Sequence, residues 1–521
     1  MNRKQMQVAK FALIVAFGGF LMGFDASVIS GVVRFIEPEF DLSKIQVGWA
    51  VGSLTLTATF AMLVSGSLSD RFGRITILKF AAIMFAISAI GSSLSQSFTM
   101  FVTARMIGGL GVGASLIIAP MYIGEIAPPK LRGRLVSFNQ LNIVIGISAA
   151  FFSNYMILKW AQSGSGLSET LMLPDYAWRW MLGLEAIPAL IYFICLFFVP
   201  QSPRWQIMKG KIKQAQTTLG KITGKSHAQE QLQSVLQSLK ADRYKKKTSL
   251  KNLFHPSLKL VLIIGFTLAI LQQITGINAV FFYAPIIFEQ SGIGTDASFM
   301  QATLVGLTNL LFTILAILFI DKLGRRPLLI IGIAGITVMM FLLSWGFHSA
   351  TYELDSQRTE VIEATFDKEM LSGLHGITYQ DDVAFKGVLK ETLGPELAAQ
   401  YETEIINAAI DINPSLILFG ILGFVAFFAI SIGPVMWVMF SELFPLRVKG
   451  LAISFAGFIN SGVSFLVQFA FPWELATLGT SITFLIYGIF GAAGLIFVYS
   501  VVPETKNKSL EELEIELVRK K

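Results

Sequence analysis

The sequence predicts an all-α membrane protein: twelve transmembrane helices in two six-helix bundles, joined by cytoplasmic interdomain helices and carrying one extracytoplasmic insertion. Three observations predict it. Apolar runs of about 20 residues, long enough to cross a hydrocarbon core, recur along the chain. Charged residues make up only 14% and apolar residues 54%, whereas soluble domains carry about 25% charged residues. Short charged motifs of the first half return in the second.

The basic start, Met1 to Lys10, precedes an apolar run from Phe11 to Val33. That run is too long for the core of a signal peptide and has no evident cleavage site, so it reads as an uncleaved first span. The first six spans are expected at 10–33, 46–68, 75–95, 98–122, 134–158 and 178–199. The last six are expected at 258–290, 298–320, 328–348, 413–440, 450–471 and 479–501. An even number puts both termini on one side. Loops 70–74, 129–134 and 321–326 fall on that side. So does 200–257, with twelve Lys/Arg against Glu230 and Asp242. The positive-inside rule makes that side the cytoplasm and the chain a multi-pass protein of the cytoplasmic (inner) membrane. The net charge of +7 follows this topology and marks no nucleic-acid surface. Cys195 lies in a predicted span as a small packing residue, so no intramolecular disulfide framework is expected.

The expected division is an N-terminal bundle (1–199), an interdomain segment (200–257), a C-terminal bundle (258–502) and a tail (503–521). Within 200–257, Leu232, Val235, Leu236 and Leu239 form a helical stripe. Lys245, Lys246 and Lys247 read as a solvated topogenic cluster or as a headgroup site. In the tail, 509–518 reads as one amphipathic helix.

The halves repeat. Asp70-Arg71-Phe72-Gly73-Arg74 returns as Asp321-Lys322-Leu323-Gly324-Arg325-Arg326, 251 residues later. Glu125 to Pro128, with Arg132-Gly133, returns as Glu442 to Pro445, with Lys449-Gly450, at an offset of 317. The longer offset places an insertion in the second half. The polar segment 349–412 fits, with thirteen Asp/Glu against four Lys/Arg. Residues 402–410 read as a helix and the rest as a solvated loop. His348 and His375 form no metal motif.

Polar residues inside the spans carry the chemistry. Gln272, Gln273 and Asn278 stand in an apolar run around Gly276. An unpaired amide in an apolar medium costs roughly 2–7 kcal/mol. Such groups are kept where they face protein, water or a polar ligand. Neutral amides donate and accept, which suits a neutral polyhydroxyl molecule. Gly276 lets the backbone bend or lets another surface approach closely. Asp25, Arg105 and Glu185 also fall inside predicted spans, with Glu185 close to Pro188. An intramembrane carboxylate is either protonated or paired. There is no phosphate loop, metal spacing, nucleophile–His arrangement or ATP-binding motif, so neither an enzyme nor a primary pump is expected.

Seven motifs now stand in order: Asp70 to Arg74; Glu125 to Gly133; Ser202-Pro203-Arg204; Gln272 to Asn278; Asp321 to Arg326; Gly433-Pro434 with Trp437, Ser441 and Glu442; and Pro503-Glu504-Thr505. In this order they resemble the sugar porter family of the major facilitator superfamily, over nearly the whole chain except the insertion. In kind the chain looks most like its bacterial proton-coupled sugar symporters. The resemblance implies a monosaccharide site between the halves, with Gln140, Gln272, Gln273, Asn278, Asn309 and Asn460 as amides and Trp437 covering the apolar face of the ring. It implies a proton site at Asp25 with Arg105, tuned by Glu185. It implies cytoplasmic gating charges: Asp70, Arg71, Arg74, Glu125 and Arg132 in one half; Asp321, Arg325, Arg326 and Glu442 in the other. Three positions depart from the family pattern. Ser461 stands where an aromatic residue is frequent, Phe282 where a bacterial symporter has Tyr, and Gln201 where Glu is usual. The first two leave the sugar's identity open. The expected partners are a monosaccharide, a proton and the bilayer, with no nucleic acid, cofactor or metal, and a monomer suffices for function. Three alternatives stand beside symport: a uniporter, for which Asp25 would pair structurally with Arg105 and never titrate; a channel; and a membrane sugar sensor.

Overall fold

A computed structural model describes residues 3–128, 131–223, 225–244, 253–362, 366–445, 448–508 and 510–517. Lys245 to Lys247 lie outside them. Twelve helices are long and apolar enough to cross a membrane: Met6–Gly31, Lys44–Phe72, Arg74–Ser93, Phe98–Ile126, Gly133–Ala161, Leu173–Phe198, Pro256–Glu289, Thr295–Leu323, Arg325–His348, Pro414–Leu443, Lys449–Thr477 and Thr480–Val501. They are spans 1 to 12 below. Each overlaps an apolar run read from the sequence. Leu, Ile, Phe and Val on their outward faces remain exposed, as a lipid solvent requires.

Two faces can be told apart by what they carry. The termini, the 70–74 and 321–326 turns and the helices Pro203–Met208, Ile212–Thr223 and Lys225–Tyr244 share one face. The insertion between spans 9 and 10 marks the other. These are the termini face and the insertion face.

Packing differs between the faces. On the termini side of the first half, an apolar cluster around Val15, Leu78, Phe85, Ile118 and Tyr192 keeps to that half. On the insertion side, one continuous cluster runs from Val28, Val32, Val47 and Trp178 into Ile287, Phe288, Val305 and Phe471 of the second half. The halves are therefore sealed together at the insertion face.

The expectation of a solvated loop at 349–412 is corrected. The segment is folded, with its own apolar core around Tyr352, Leu371, Phe385, Leu389, Tyr401 and Ile405. Its strands β1 (Thr351–Glu353), β2 (Thr378–Tyr379) and β3 (Ile410–Asp411) form an antiparallel sheet in the order β2-β1-β3. Two helices, Asp382–Leu393 and Pro395–Ala409, cover it; the second takes in the helix expected at 402–410 except Ile410, which opens β3. Asp381 caps the first helix through the Val383 amide. Strands of two and three residues carry no legible periodicity.

Candidate functional site

Span 7 is two helices, Lys259–Ile274 and Ile277–Glu289. The break is Gly276, with φ +90° and ψ 13°, a left-handed conformation that glycine adopts without steric cost. A Cβ there would also lie 2.5 Å from the Tyr487 ring of span 12. Bend and close approach are both required of this one residue. Span 10 breaks as well, at Ser431 (φ −122°, ψ −104°), between Pro414–Ile430 and Ile432–Leu443. The bend thus comes ahead of Gly433-Pro434, because Pro434 has no N–H for the carbonyl one turn earlier.

The two breaks expose backbone polar groups, and the amides meet them. Gln272 Nε2 donates to the carbonyls of Gly433 (2.9 Å) and Ile432 (3.2 Å). Asn460 Nδ2, from span 11, donates to Gln272 Oε1 (2.8 Å) and Ala269 O (2.9 Å). Gln273 Nε2 donates to Gln272 Oε1 and Asn460 Oδ1, both at 3.2 Å. Asn278 Nδ2 donates to Gln273 Oε1 (2.8 Å) and Ser464 Oγ (2.5 Å). Gln272, Gln273 and Asn460 are each less than 10% exposed. Every amide nitrogen of the four residues spends both protons inside the cluster or on backbone carbonyls of spans 7 and 10.

Of the seven candidate sugar contacts, the structure brings these four together. The other three are not hydrogen-bonded to them. Asn309 is buried in span 8 and Gln140 half-buried in span 5. Those two spans touch where Ser148 Oγ donates to Gly306 O (2.8 Å). Trp437 stands edge-on to Phe440, with Gly457 opposite its ring. Phe282 and Tyr283 are both buried, and Tyr283 Oη donates to Gln468 O (2.9 Å). Sequence reasoning missed Ser464 and Gln468. The signal was present: Asn460, Ser464 and Gln468 are spaced i, i+4, i+8 along one face of an apolar helix.

Asp25, Arg105 and Glu185 do come together. Each is 1% exposed. Arg105 Nη1 donates to Asp25 Oδ1 (2.5 Å) and to the Asp25 carbonyl (3.0 Å). Glu185 faces Asp25 in the same pocket. It sits where span 6 is interrupted between Leu173–Gly183 and Ala186–Cys195, an interruption that follows from the N–H missing at Pro188. Among the described residues, Asp25 Oδ2, Arg105 Nε and Glu185 Oε1 lack hydrogen-bond partners. Gly108 closes the pocket, since a Cβ there would lie 2.7 Å from Asp25 Oδ2. A buried pocket with one guanidinium and two carboxyls is electrically neutral when it holds one proton. Buried charges without a partner are strongly disfavoured.

The charges of the termini face pair inside their own halves. Arg74, 3% exposed, meets Asp70 (2.7 Å) and Glu125 (3.0 Å). Arg325 meets Asp321 (3.0 Å) and Glu442 (2.9 Å). Arg71 lies against the Phe72 ring. Arg326 Nη2 donates to Tyr499 O (2.7 Å). The Arg132 side chain lies outside the described part. Glu504 accepts from the amides of Arg325 and Arg326 at 3.1 Å, capping span 9. Gln201 does the same for span 3 through the Ile75 amide (3.2 Å). The Pro503-Glu504-Thr505 motif and Gln201 are thus equivalent caps in the two repeats.

Polar contacts between the halves lie from mid-membrane to the insertion face. Arg34 pairs with Glu289 and donates to Thr295, and its other nitrogen reaches Glu404 of the insertion (3.3 Å). Lys159 pairs with Asp296 (2.9 Å). Thr55 Oγ1 donates to Gln468 Oε1 (2.9 Å). Trp49 packs edge-on against Phe465 and Phe469. Toward the termini face the halves touch through Phe60 and Phe458.

A family model described as "Sugar (and other) transporter" matches residues 11–362 and 399–517; the gap falls within the insertion. The arabinose-proton symporter of Bacillus subtilis is 35% identical over 95% of this chain and 92% of its own length. The D-xylose-proton symporter of Escherichia coli is 34% identical over 97% and 95%. Among solved structures, the inward open conformation of the E. coli xylose transporter XylE superposes with a TM-score of 0.74 at 31% identity, covering 98% of this chain and 100% of that one. The 6-bromo-6-deoxy-D-glucose complex of XylE gives 0.68 at 32% identity, covering 98% and 99%. The chain belongs to the sugar transporter family and has the major facilitator fold, a multi-pass transporter rather than an enzyme.

Proposed function

We propose that this protein carries a monosaccharide, a pentose or a hexose, across the cytoplasmic membrane together with a proton, by alternating access. The observation that carries the reading is a pair of sites in one membrane interior: a cluster of neutral amides near two helix breaks, and a buried pocket with two acids and one guanidinium. The amides match sugar hydroxyls, which both donate and accept. Gln140 completes that site from the opposite half, and Asn309 and Trp437 complete it from the amides' own half. The acid pocket holds one transferable proton, shared by Asp25 and Glu185 and held in place by Arg105. Relatives named as arabinose- and xylose-proton symporters support the same pairing.

The termini face is the cytoplasmic face, and the protein works as a monomer. Asp70, Arg71, Arg74, Glu125 and Arg132, with Asp321, Arg325, Arg326 and Glu442, line the cytoplasmic gate and brace its two sides. With the insertion face sealed, each cluster closes on its own half, which leaves the cytoplasmic face free to open. The units 1–199, 200–257, 258–502 and 503–521 divide the labour of rocking, linking and capping.

The test is a panel of sugars in proteoliposomes, with and without an imposed proton gradient. Saturable uptake of at least one pentose or hexose, concentrated only when the outside is acid, is expected. Equilibration alone, at the same rate with and without the gradient, would make the protein a uniporter.

A further inference from the structure

The hydrogen bonds of the amide cluster do not stop at the sugar site. Asn278 passes to Ser464 Oγ (2.5 Å), and Ser464 Oγ also accepts from Gln468 Nε2 (2.7 Å). Gln468, 1% exposed, turns its carbonyl oxygen to Thr55 of the opposite half (2.9 Å). Its backbone is pinned from span 7 by Tyr283 Oη (2.9 Å). The chain Gln273–Asn278–Ser464–Gln468–Thr55 is unbroken, and its last link crosses between the halves at the sealed insertion face.

The orientations along it are mutually fixed. Gln468 presents its oxygen to the Thr55 hydroxyl, which donates, so its nitrogen points to Ser464. Ser464 then receives two donors, which use both of its lone pairs. Asn278 in turn has both protons committed. Separating spans 2 and 11 removes the Thr55 bond and lets the Gln468 amide turn over. Ser464 can then donate its own proton to the Gln468 oxygen, which turns the hydroxyl and changes the lone pair it presents to Asn278.

We infer that Ser464 and Gln468 are positioning residues that couple closure of the insertion-face gate to the orientation of the Asn278 amide. Closing the gate aligns Asn278, and a ligand that takes hold of the Asn278 amide biases the gate by the same free energy. This rests on the functional reading only where a sugar is that ligand. The coupling itself exists without one.

The experiment uses the full-length protein with spin labels on the insertion-face ends of spans 2 and 11. Sugar-free distance distributions are compared for wild type, Thr55→Val, Ser464→Ala and the double variant. Loss of one buried hydrogen bond shifts the open-to-closed ratio about fivefold. Thr55→Val and Ser464→Ala should each do so, although among the described residues Ser464 makes no hydrogen bond to the opposite half, and the double variant should do no more than either. Ser464→Thr, which keeps the hydroxyl, should restore the ratio. A wild-type ratio in Ser464→Ala, or two shifts that multiply in the double variant, would overturn the inference. In parallel, uptake KM is measured for whichever of L-arabinose, D-xylose and D-glucose the wild type transports, and Ser464→Ala should raise it severalfold. If wild type transports none of them, the functional reading fails while the sugar-free comparison still decides the coupling.

Discussion

At the insertion face Arg34 reaches from one half to Glu289 and Glu404 of the other, whereas at the termini face Arg74 and Arg325 keep to carboxylates of their own half. The chemistry is the same, an Arg with two acids. The consequence differs. A pair that crosses between the halves exists only while that face is shut, so it sets the population of states. A pair inside one half survives the motion, so it sets the stability of the half and leaves the population nearly untouched.

Glu289→Ala should produce the largest effect. It removes the most buried partner of Arg34 and leaves a partly desolvated guanidinium. Breaking a fully buried pair costs about 3–5 kcal/mol. Arg34 keeps water and Glu404 within reach, so a shift of about tenfold toward the form open at the insertion face is expected, read by spin-label distances. A shift no larger than that of Lys159→Ala, whose pair with Asp296 is exposed, would break the comparison.

Glu125→Ala comes next. Arg74 stays buried with Asp70 as its remaining partner. A loss of about 2 kcal/mol of stability, seen as a lower Tm, is expected. The state ratio should move by less than about twofold, since the Arg74–Glu125 bond belongs to one half. A large move in the ratio with an unchanged Tm would reverse the assignment.

Glu402 gives a third, pH-dependent case on the insertion. Burial raises its carboxyl pKa, but Lys386, Lys44 and Lys390 outweigh burial and hold it below its ordinary value of 4.5. A depressed pKa means stability that is present above about pH 4.5 and lost as pH falls through the folded value. Glu402→Gln should therefore lower Tm by a constant amount between pH 5 and pH 7 on the scale of about 1 kcal/mol. The difference from wild type should vanish in more acid buffer. A difference that grows on acidification has the wrong sign for this pairing.

The smallest effect concerns the caps of spans 3 and 9. Gln201→Glu makes the first cap like Glu504. A carboxylate at a helix N-terminus adds about 0.3–1 kcal/mol, so a small rise in Tm is expected. A fall would show that the two caps are not equivalent.

How much of this was legible follows from the physics of each element. The spans were readable because hydrocarbon demands unbroken apolar runs, and Gly276 because a glycine among amides has few other uses. The break in span 10 lies at Ser431, ahead of Gly433-Pro434, because a proline disturbs the turn before it. Ser464 and Gln468 were visible as an i, i+4 stripe but went unread beside the more conspicuous glutamines. The fold of the insertion was hidden, since its sheet depends on pairing between distant short strands. Which face is shut was hidden for a deeper reason. One sequence must serve both states, and only an arrangement in space distinguishes Arg34–Glu289 from Arg74–Glu125.

The central claim is that a sugar is driven by a proton held at Asp25. The most direct measurement is uphill accumulation in proteoliposomes with an imposed pH gradient, for wild type and Asp25→Asn side by side, with sugar counterflow as the control for a working carrier. The account predicts that wild type concentrates the sugar, while Asp25→Asn exchanges it in counterflow but only equilibrates it under the gradient. Accumulation by Asp25→Asn equal to wild type would contradict the account.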